Sequence, residues 1–376
     1  MKSIYIIPFE LPWNWTADYQ KQTILELNNK NKKVIAYMNK DACFFLKRKN
    51  VFYPKIKSVI FFQPIYFFPF QRFLFIKYLN QFLNLLFLKI LFFKEKIYFW
   101  SFDPDFFKMA IYSNFLRITT IYDCVDFHDH IEPKQQQKIR DMENKLIKSV
   151  KYFFVNSKEL FKIHSKTRFA DAIVPQGFSL NLFKNKIKKI NSISLLKKNK
   201  KPIIGFVGGI NYRLDYDLLI KLAKRNKNWR FIFWGPIQKQ DNDQLKNIQK
   251  KQDELFSLEN VYTNKSLKKT IPSVIEYFDV CIIPYKKSYL FNLYSYPMKV
   301  FEYFYKQKPV ISSEINELKT FPKNLISISC NYEEWEKSIK KSIKIKESQK
   351  NKKIKRQMAI NNSWKKKVGA ILDKIK

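Results

Sequence analysis

The sequence predicts an α/β protein built from two successive parallel sheets, and three observations lead there. Short apolar runs of strand length alternate with segments long enough for helices, as in a parallel sheet with helical crossovers. The alternation occurs twice, with a basic and patternless stretch between the two series. At 376 residues the chain exceeds what one hydrophobic core usually organises, and its 46% hydrophobic content is enough for two.

The first series contains the strand runs "SIYIIPF", "KVIAYM", "SVIFFQ", "IYFWSF", "ITTIYD", "YFFVNS" and "ADAIVPQ", with helices expected at 104–116 and 135–150 among others. The run "KNKIKKINSISLLKKNKK" at 184–201 reads as a linker. The second series is "PIIGFVG", "RFIFWGP", "NVYTN", "VCIIPY", "PVISS" and "ISISC", followed from Lys337 to Lys376 by a helical tail with fifteen Lys/Arg. The expected division is therefore 1–184, a linker at 185–200, 201–345, and a basic helix at 346–376 packing back on the first domain. Such Rossmann-like sheets bind ligands beyond the carboxyl ends of their strands, here in a cleft between the two domains.

Composition narrows the partners. The formal charge of +39 (71 Lys+Arg against 32 Asp+Glu) suits an anionic membrane, a phosphorylated substrate or nucleic acid. Lys, Asn, Ile and Phe are all plentiful, as an AT-rich genome would also produce. No DNA- or RNA-binding signature accompanies the lysines, so no nucleic-acid partner is expected. Cys43, Cys124, Cys281 and Cys330 are scattered without a C-x-x-C pair, and there are 3 histidines, so no structural zinc site is expected and the pattern fits a reducing compartment. Lys2 leads directly into a strand-like run rather than a signal sequence, which points to a cytoplasmic protein.

The stretch from Val59 to Phe93 is rich in aromatic residues and leucine. Pro64, Pro69, Arg72, Lys77, Asn80, Gln81, Asn84 and Lys89 interrupt it, which argues against a span of ~20 apolar residues crossing a bilayer. Core packing of a helix at 73–92 is one reading. Contact with an anionic membrane surface, cations among the headgroups, is the other.

Two segments carry candidate chemistry. In "KPIIGFVGGINYRLDYDLLIKLA" a strand ends in Gly208 and Gly209 before a helix. A glycine turn there is often only a tight turn, but it also lets backbone N–H groups approach phosphate, and Arg213 adds a charged donor. There is no G-x-G-x-x-G fingerprint of dinucleotide binding. In "YSYPMKVFEYFYKQKPVISS" Pro297 suits a first helical turn, and Lys299 and Glu302, three apart, share a face near the helix start. They are either a solvated pair or a lysine reaching a diphosphate beside a carboxylate that accepts from ribose hydroxyls.

The order of these pieces resembles that of GT-B glycosyltransferases of group 1. A helix start with Lys and Glu, a short loop and the strand "PVISS" is similar to their donor-nucleotide motif. "ADAIVPQGF", "WRFIFWGP", "VCIIPYK" and "NNSW" fall where that family has a pre-linker strand, two donor-domain strands and the start of a terminal helix that crosses back. "IYFWSFDPDF" and "TTIYDCVDFHD" resemble a bacterial subgroup that builds cell-surface polysaccharides, including teichuronic acid synthesis proteins and the xanthan glucuronosyltransferase.

The resemblance implies a GT-B fold and transfer of a sugar from a nucleoside diphosphate, with UDP expected, to a hydroxyl of a lipid-linked or growing glycan at the inner face of a membrane. It implies Met298 and Lys299 at the nucleotide, Glu302 near the ribose or uridine, and Asp126 as the catalytic base, with Asp123 and Asp129 as rivals and His128 contacting the sugar or sharing the proton. Many relatives carry a second glutamate eight residues before Glu302; here Tyr294 stands there and offers no anionic contact to the donor sugar. "DPD" (103–105) and "DND" (241–243) look like metal-binding D-x-D motifs. Asp103 before a proline is instead a helix cap, and 241–243 falls in a polar loop, so neither a metal nor any other cofactor is expected. A nucleotide-sugar epimerase of the same fold and a non-catalytic binding protein are the rival readings.

Overall fold

The computed structural model describes residues 2–9, 13, 19–38, 53–128, 133–184, 190, 191, 193, 200–238, 245–264 and 268–376. Cys43, Asp129, Asp241, Asp243 and most of the expected linker lie outside them. The chain divides into two compact units, Met1–Gly177 with Trp364–Lys376, and Phe178–Ser363. The first boundary thus falls at Gly177 rather than 184. Of the basic tail, only the part from Trp364 belongs with the first unit, not the whole of 346–376.

The first unit contains β1 (Ser3–Phe9), α1 (Tyr19–Asn29), β2 (Lys33–Met38), β3 (Val59–Phe62), α2 (Leu74–Leu91) and β4 (Lys96–Ser101). It continues through α3 (Phe107–Phe115), β5 (Thr119–Cys124), α4 (Pro133–Ser149), β6 (Tyr152–Val155), α5 (Lys158–His164) and β7 (Ala172–Ile173). Its seven strands form one sheet in the order β3-β2-β1-β4-β5-β6-β7, every pairing parallel. Strands such as "SIYIIPF" are buried along almost their whole length, as expected when helices cover both faces. Asp103 caps the turn before α3, its carboxylate accepting from Asp105 N–H at 2.9 Å.

The second unit runs α6 (Leu180–Lys184), β8 (Ile203–Val207), α7 (Tyr216–Arg225), β9 (Arg230–Trp234), α8 (Lys246–Ser257), β10 (Val261–Asn264), α9 (Ile271–Tyr277) and β11 (Val280–Ile283). It ends with α10 (Leu290–Tyr294), α11 (Lys299–Tyr305), β12 (Val310–Ser312), α12 (Asn316–Lys319), β13 (Ser327–Ile328), α13 (Tyr332–Lys344) and α14 (Gln349–Asn361). Its parallel sheet has the order β10-β9-β8-β11-β12-β13.

The last helix, α15 (Trp364–Lys374), returns to the first unit. Trp364, Val368, Ile371 and Ile375 recur at helical spacing and are buried, the last three in the core with Tyr5, Ile7 and Tyr98. Gly177 makes the return possible, because a Cβ there would stand 2.8 Å from the backbone of Trp364.

Helix α2 explains the polar breaks in the aromatic segment. Asn84 accepts from Ile65 N–H at 2.8 Å and donates to its carbonyl at 2.9 Å. Asn80 does the same for Phe68, at 3.0 and 2.9 Å. The two amides pin an extended strip along the helix and satisfy its backbone. This leaves Phe70, Phe75 and Phe93 62, 77 and 70% exposed. Alone among the described helices, α2 is long and apolar enough, by length and composition, to cross a membrane; only 22% of it is buried.

Candidate active site

In the second unit the two candidate segments meet at the carboxyl end of β8, although 91 positions separate Gly208 from Lys299. Gly208 has φ +124°, a conformation that favours glycine, and a Cβ on it would lie 3.3 Å from Lys299 Cε and 3.5 Å from Nζ. Behind it Gly235 (φ +149°) packs so closely that a Cβ there would fall 2.1 Å from the Gly208 carbonyl oxygen. The bare backbone is therefore needed twice, once to let the lysine in and once to let two strand ends touch.

Lys299 sits at the start of α11, half-buried, and its ammonium donates to the Tyr285 hydroxyl. It also lies over two rings, 4.6 Å from the centre of Tyr285 and 4.9 Å from that of Phe206. Arg213 approaches the same tyrosine, its guanidinium 4.7 Å from the Tyr285 ring and 4.0 Å from the Phe291 ring. Neither cation is ion-paired with a carboxylate among the described residues. Two positive charges thus converge on one aromatic side chain beside an open glycine turn.

Buried Asn292 holds this arrangement. Its carbonyl accepts from Arg213 Nε at 2.9 Å, and its amide donates to the carbonyls of Arg213 (3.0 Å) and Lys286 (2.9 Å). The loop after β8 is tied to the loop after β11 by these bonds and by Asp215 N–H donating to Pro284 at 2.8 Å. Gly209 is exposed next to Gly208, and Met298 is half-buried just before Lys299. Glu302 lies one turn further along α11 and is buried, 7% exposed; Tyr294 ends α10, half-buried.

The first unit separates its three candidates. Asp123, on β5, is wholly buried and ion-paired at 3.0 Å with Lys367 of α15, which also donates to the Val174 carbonyl at 3.2 Å. Burial raises the Asp123 carboxyl above its ordinary range, with Lys367 opposing. This corrects the expectation for Asp123: no acceptor hydroxyl reaches it, and its charge is spent on α15. Asp126 stands half-buried on the turn beyond β5. Asn156 fixes that turn, its amide donating to Val125 and its N–H to the Cys124 carbonyl at 3.2 Å. Nε2 of His128 is buried and finds no hydrogen-bond partner among the described residues. A ring nitrogen of His128 lies within 4.8 Å of both Cys124 and Glu143.

Residues 187–365, from the linker to the start of α15, match the sequence model of the family described as "Glycosyl transferases group 1". This match spans slightly less than half of the chain, and over it the chain resembles the group 1 glycosyltransferases. A Bacillus subtilis relative, TuaH, assigned to teichuronic acid biosynthesis as a glycosyltransferase, is 26% identical over 208 residues, 52% of this chain. That match spans about half the length of the relative. Among solved structures, Anabaena HepE in complex with UDP superposes with a TM-score of 0.71 at 12% identity, covering 100% of this chain and 99% of that one. The sucrose-phosphate synthase of Thermosynechococcus elongatus gives 0.72 at 12% identity, over 99% of this chain and 98% of that one. These structural similarities extend the likeness of fold, of the GT-B type, over the whole chain.

Sequence reasoning missed Tyr285, Asn292 and Gly235. Tyr285 ends "VCIIPY", so its place beyond a strand's carboxyl end was a usable signal. Gly235 likewise follows "RFIFW", one of only 6 glycines. Asn292 in "LFNLY" carries no signal, since its role depends on a loop 79 positions away.

Proposed function

We propose that the chain transfers a sugar from a nucleoside diphosphate, UDP in the first instance, to a hydroxyl of a cell-surface glycan or its lipid-linked precursor. The observation that carries this reading is the pair Lys299 and Arg213, two cations gathered on Tyr285 with no carboxylate paired to them among the described residues, beside Gly208 at a strand's carboxyl end. A diphosphate supplies the missing negative charge. The UDP and UDP-glucose complexes of HepE support a UDP-sugar as donor, and the teichuronic acid biosynthesis to which TuaH is assigned supports a glycan acceptor.

In the reaction the acceptor oxygen attacks the anomeric carbon and the bond from that carbon to the diphosphate oxygen breaks. Asp126 takes the hydroxyl proton, while Lys299, Arg213 and the N–H groups of the glycine turn bear the charge left on the diphosphate. The reaction as drawn routes no step through a metal ion. Met298 and Glu302 flank the nucleotide, and Glu302 accepts from ribose hydroxyls. The exposed aromatic residues of 65–93 dip into a lipid interface on the cytoplasmic side. There Arg72 (5.0 Å from the Phe73 ring) and Lys94 (5.5 Å from the Phe93 ring) meet lipid phosphates.

Calorimetric titration with UDP and GDP, followed by turnover with UDP-sugars, tests the proposal. Binding of UDP that weakens ~10- to 100-fold in Lys299→Ala is the expected result, the worth of one charge-assisted contact. Asp126→Asn should bind UDP as the parent does and lose ~10²–10⁴ in kcat. A folded chain with no affinity for either nucleotide would overturn the reading.

A further inference from the structure

We propose that the first unit holds a transition-metal ion, zinc by its ligand chemistry, at Cys124, Glu143 and His164, with His128 as fourth ligand. This site is separate from the donor nucleotide's and does not rest on that reading.

The argument begins with three distances. Cys124 Sγ lies 3.5 Å from Glu143 Oε1 and 3.6 Å from His164 Nε2, and His164 Nε2 lies 3.6 Å from Glu143 Oε1. The corners of such a triangle are about 2.1 Å from its centre, close to the bond lengths zinc makes to imidazole and carboxylate and slightly short of the one to sulfur. The 3.6 Å between the ring nitrogen and the carboxylate oxygen is too long for a hydrogen bond, while the two distances to sulfur, like that of Cys124 Sγ to the Asp126 carbonyl at 3.4 Å, are within reach of weak thiol contacts. The second observation is independent: His128 Nε2 is buried with no hydrogen-bond partner among the described residues, and a ring nitrogen of His128 lies within 4.8 Å of both Cys124 and Glu143. Movement of that ring toward the triangle would complete a Cys-Glu-His-His set.

The surroundings suit the ion. Cys124, Glu143 and His164 are all buried, so little water competes for their ligand atoms. Cysteine binds metal as the thiolate, so its proton would leave to solvent on binding. Zinc with one thiolate and one carboxylate is neutral overall, so the filled site carries no net buried charge. Tyr122 donates to Glu143 Oε1 at 2.6 Å, fixing the carboxylate as outer partners of metal ligands do. Sequence spacing concealed the set, because its members come from β5, the turn after it, α4 and α5. Cys124 and His128 bracket Asp126, so the ion would also set the position of the proposed base.

The full chain, stripped with chelator and re-purified, is titrated with zinc and separately with cobalt(II). One zinc per chain, a rise in Tm on zinc addition and a thiolate-to-cobalt charge-transfer band are expected. Cys124→Ser should bind zinc at least about 100-fold more weakly and lose the band. Cys281→Ser, at another buried cysteine outside the cluster, should keep both. If Cys124→Ser does not fold, the parent's cobalt spectrum decides. A folded parent chain that takes up no zinc and gives no band overturns the proposal, as does zinc binding that survives in folded Cys124→Ser. UDP binding in the second unit is unaffected by either result, so failure here leaves the donor-site reading standing.

Discussion

The carboxyl ends of β8 and β5 treat their lysines in opposite ways. Beyond β8, Lys299 and Arg213 face aromatic rings and an amide, with no carboxylate to neutralise them among the described residues. On β5, Asp123 is neutralised inside the unit by Lys367, both side chains almost fully buried. Bringing cations together without counter-charge costs folding free energy, and a fold keeps such a pair where a ligand completes it. The internal pair at β5 is complete and has no such opening. An aspartate in a strand-end motif is therefore no sign of chemistry until its partner is known, whereas a lysine left with aromatic neighbours is.

The sharpest way to break this comparison is to remove each lysine and ask what is lost. Lys367→Met leaves Asp123 buried alone and should destabilise the protein by ~3–5 kcal/mol, read as a lower midpoint of denaturant unfolding. UDP affinity in the folded fraction should not change. Lys299→Met should do the reverse, lowering turnover ~10²–10³-fold with stability unchanged within ~0.5 kcal/mol. If Lys299→Met unfolds the protein as readily as Lys367→Met, the lysine beyond β8 is a structural group and the contrast fails.

How much of this was legible in the sequence depends on the range over which each feature is determined. All the strand runs read from the sequence are strands in the two sheets; the interior ones show as continuous hydrophobic runs because they are buried on both faces, whereas the edge strands β3, β7, β10 and β13 are largely unburied. Lys299 and Gly208, which the fold brings together, could be singled out as candidates because a helix start and a strand end have local signatures. Asp123 was misread because its partner lies 244 positions away, and no local pattern distinguishes it from Asp126 three residues later. The division at Gly177 was missed for a similar reason. A basic linker was easy to see, but the close approach that places Trp364 against Gly177 is a contact between distant residues. The two asparagines of α2 looked like interruptions, and they are ties to the strip beside it.

A smaller effect sharpens the β8 side. Asn292→Ala removes the acceptor from Arg213 Nε and the donor to two carbonyls. Loss of those bonds at a buried site should cost ~1–3 kcal/mol. Because Arg213 is then no longer aimed at Tyr285, UDP binding should weaken as well. Calorimetry on the folded variant separates the two. A variant that is destabilised but binds UDP as tightly as the parent would show that Arg213 contributes nothing to the anion site.

The smallest effect concerns pH and comes from the sign of the shift at Asp123. Burial raises its folded-state pKa and Lys367 opposes that rise, so in Lys367→Met the pKa climbs further. A carboxyl whose pKa is higher folded than unfolded favours the folded state fully below the unfolded pKa, and that contribution is lost as pH rises through the folded value. On acidification from neutral pH the variant should therefore recover more stability from this group than the parent does. The gap between them should narrow by at most ~1.4 kcal/mol per pH unit for one proton. Unfolding midpoints of both proteins across a pH series read this directly. A gap that stays constant, or widens toward acid, would mean that Asp123 is not the group left uncompensated, and that α15 is held mainly by its apolar stripe.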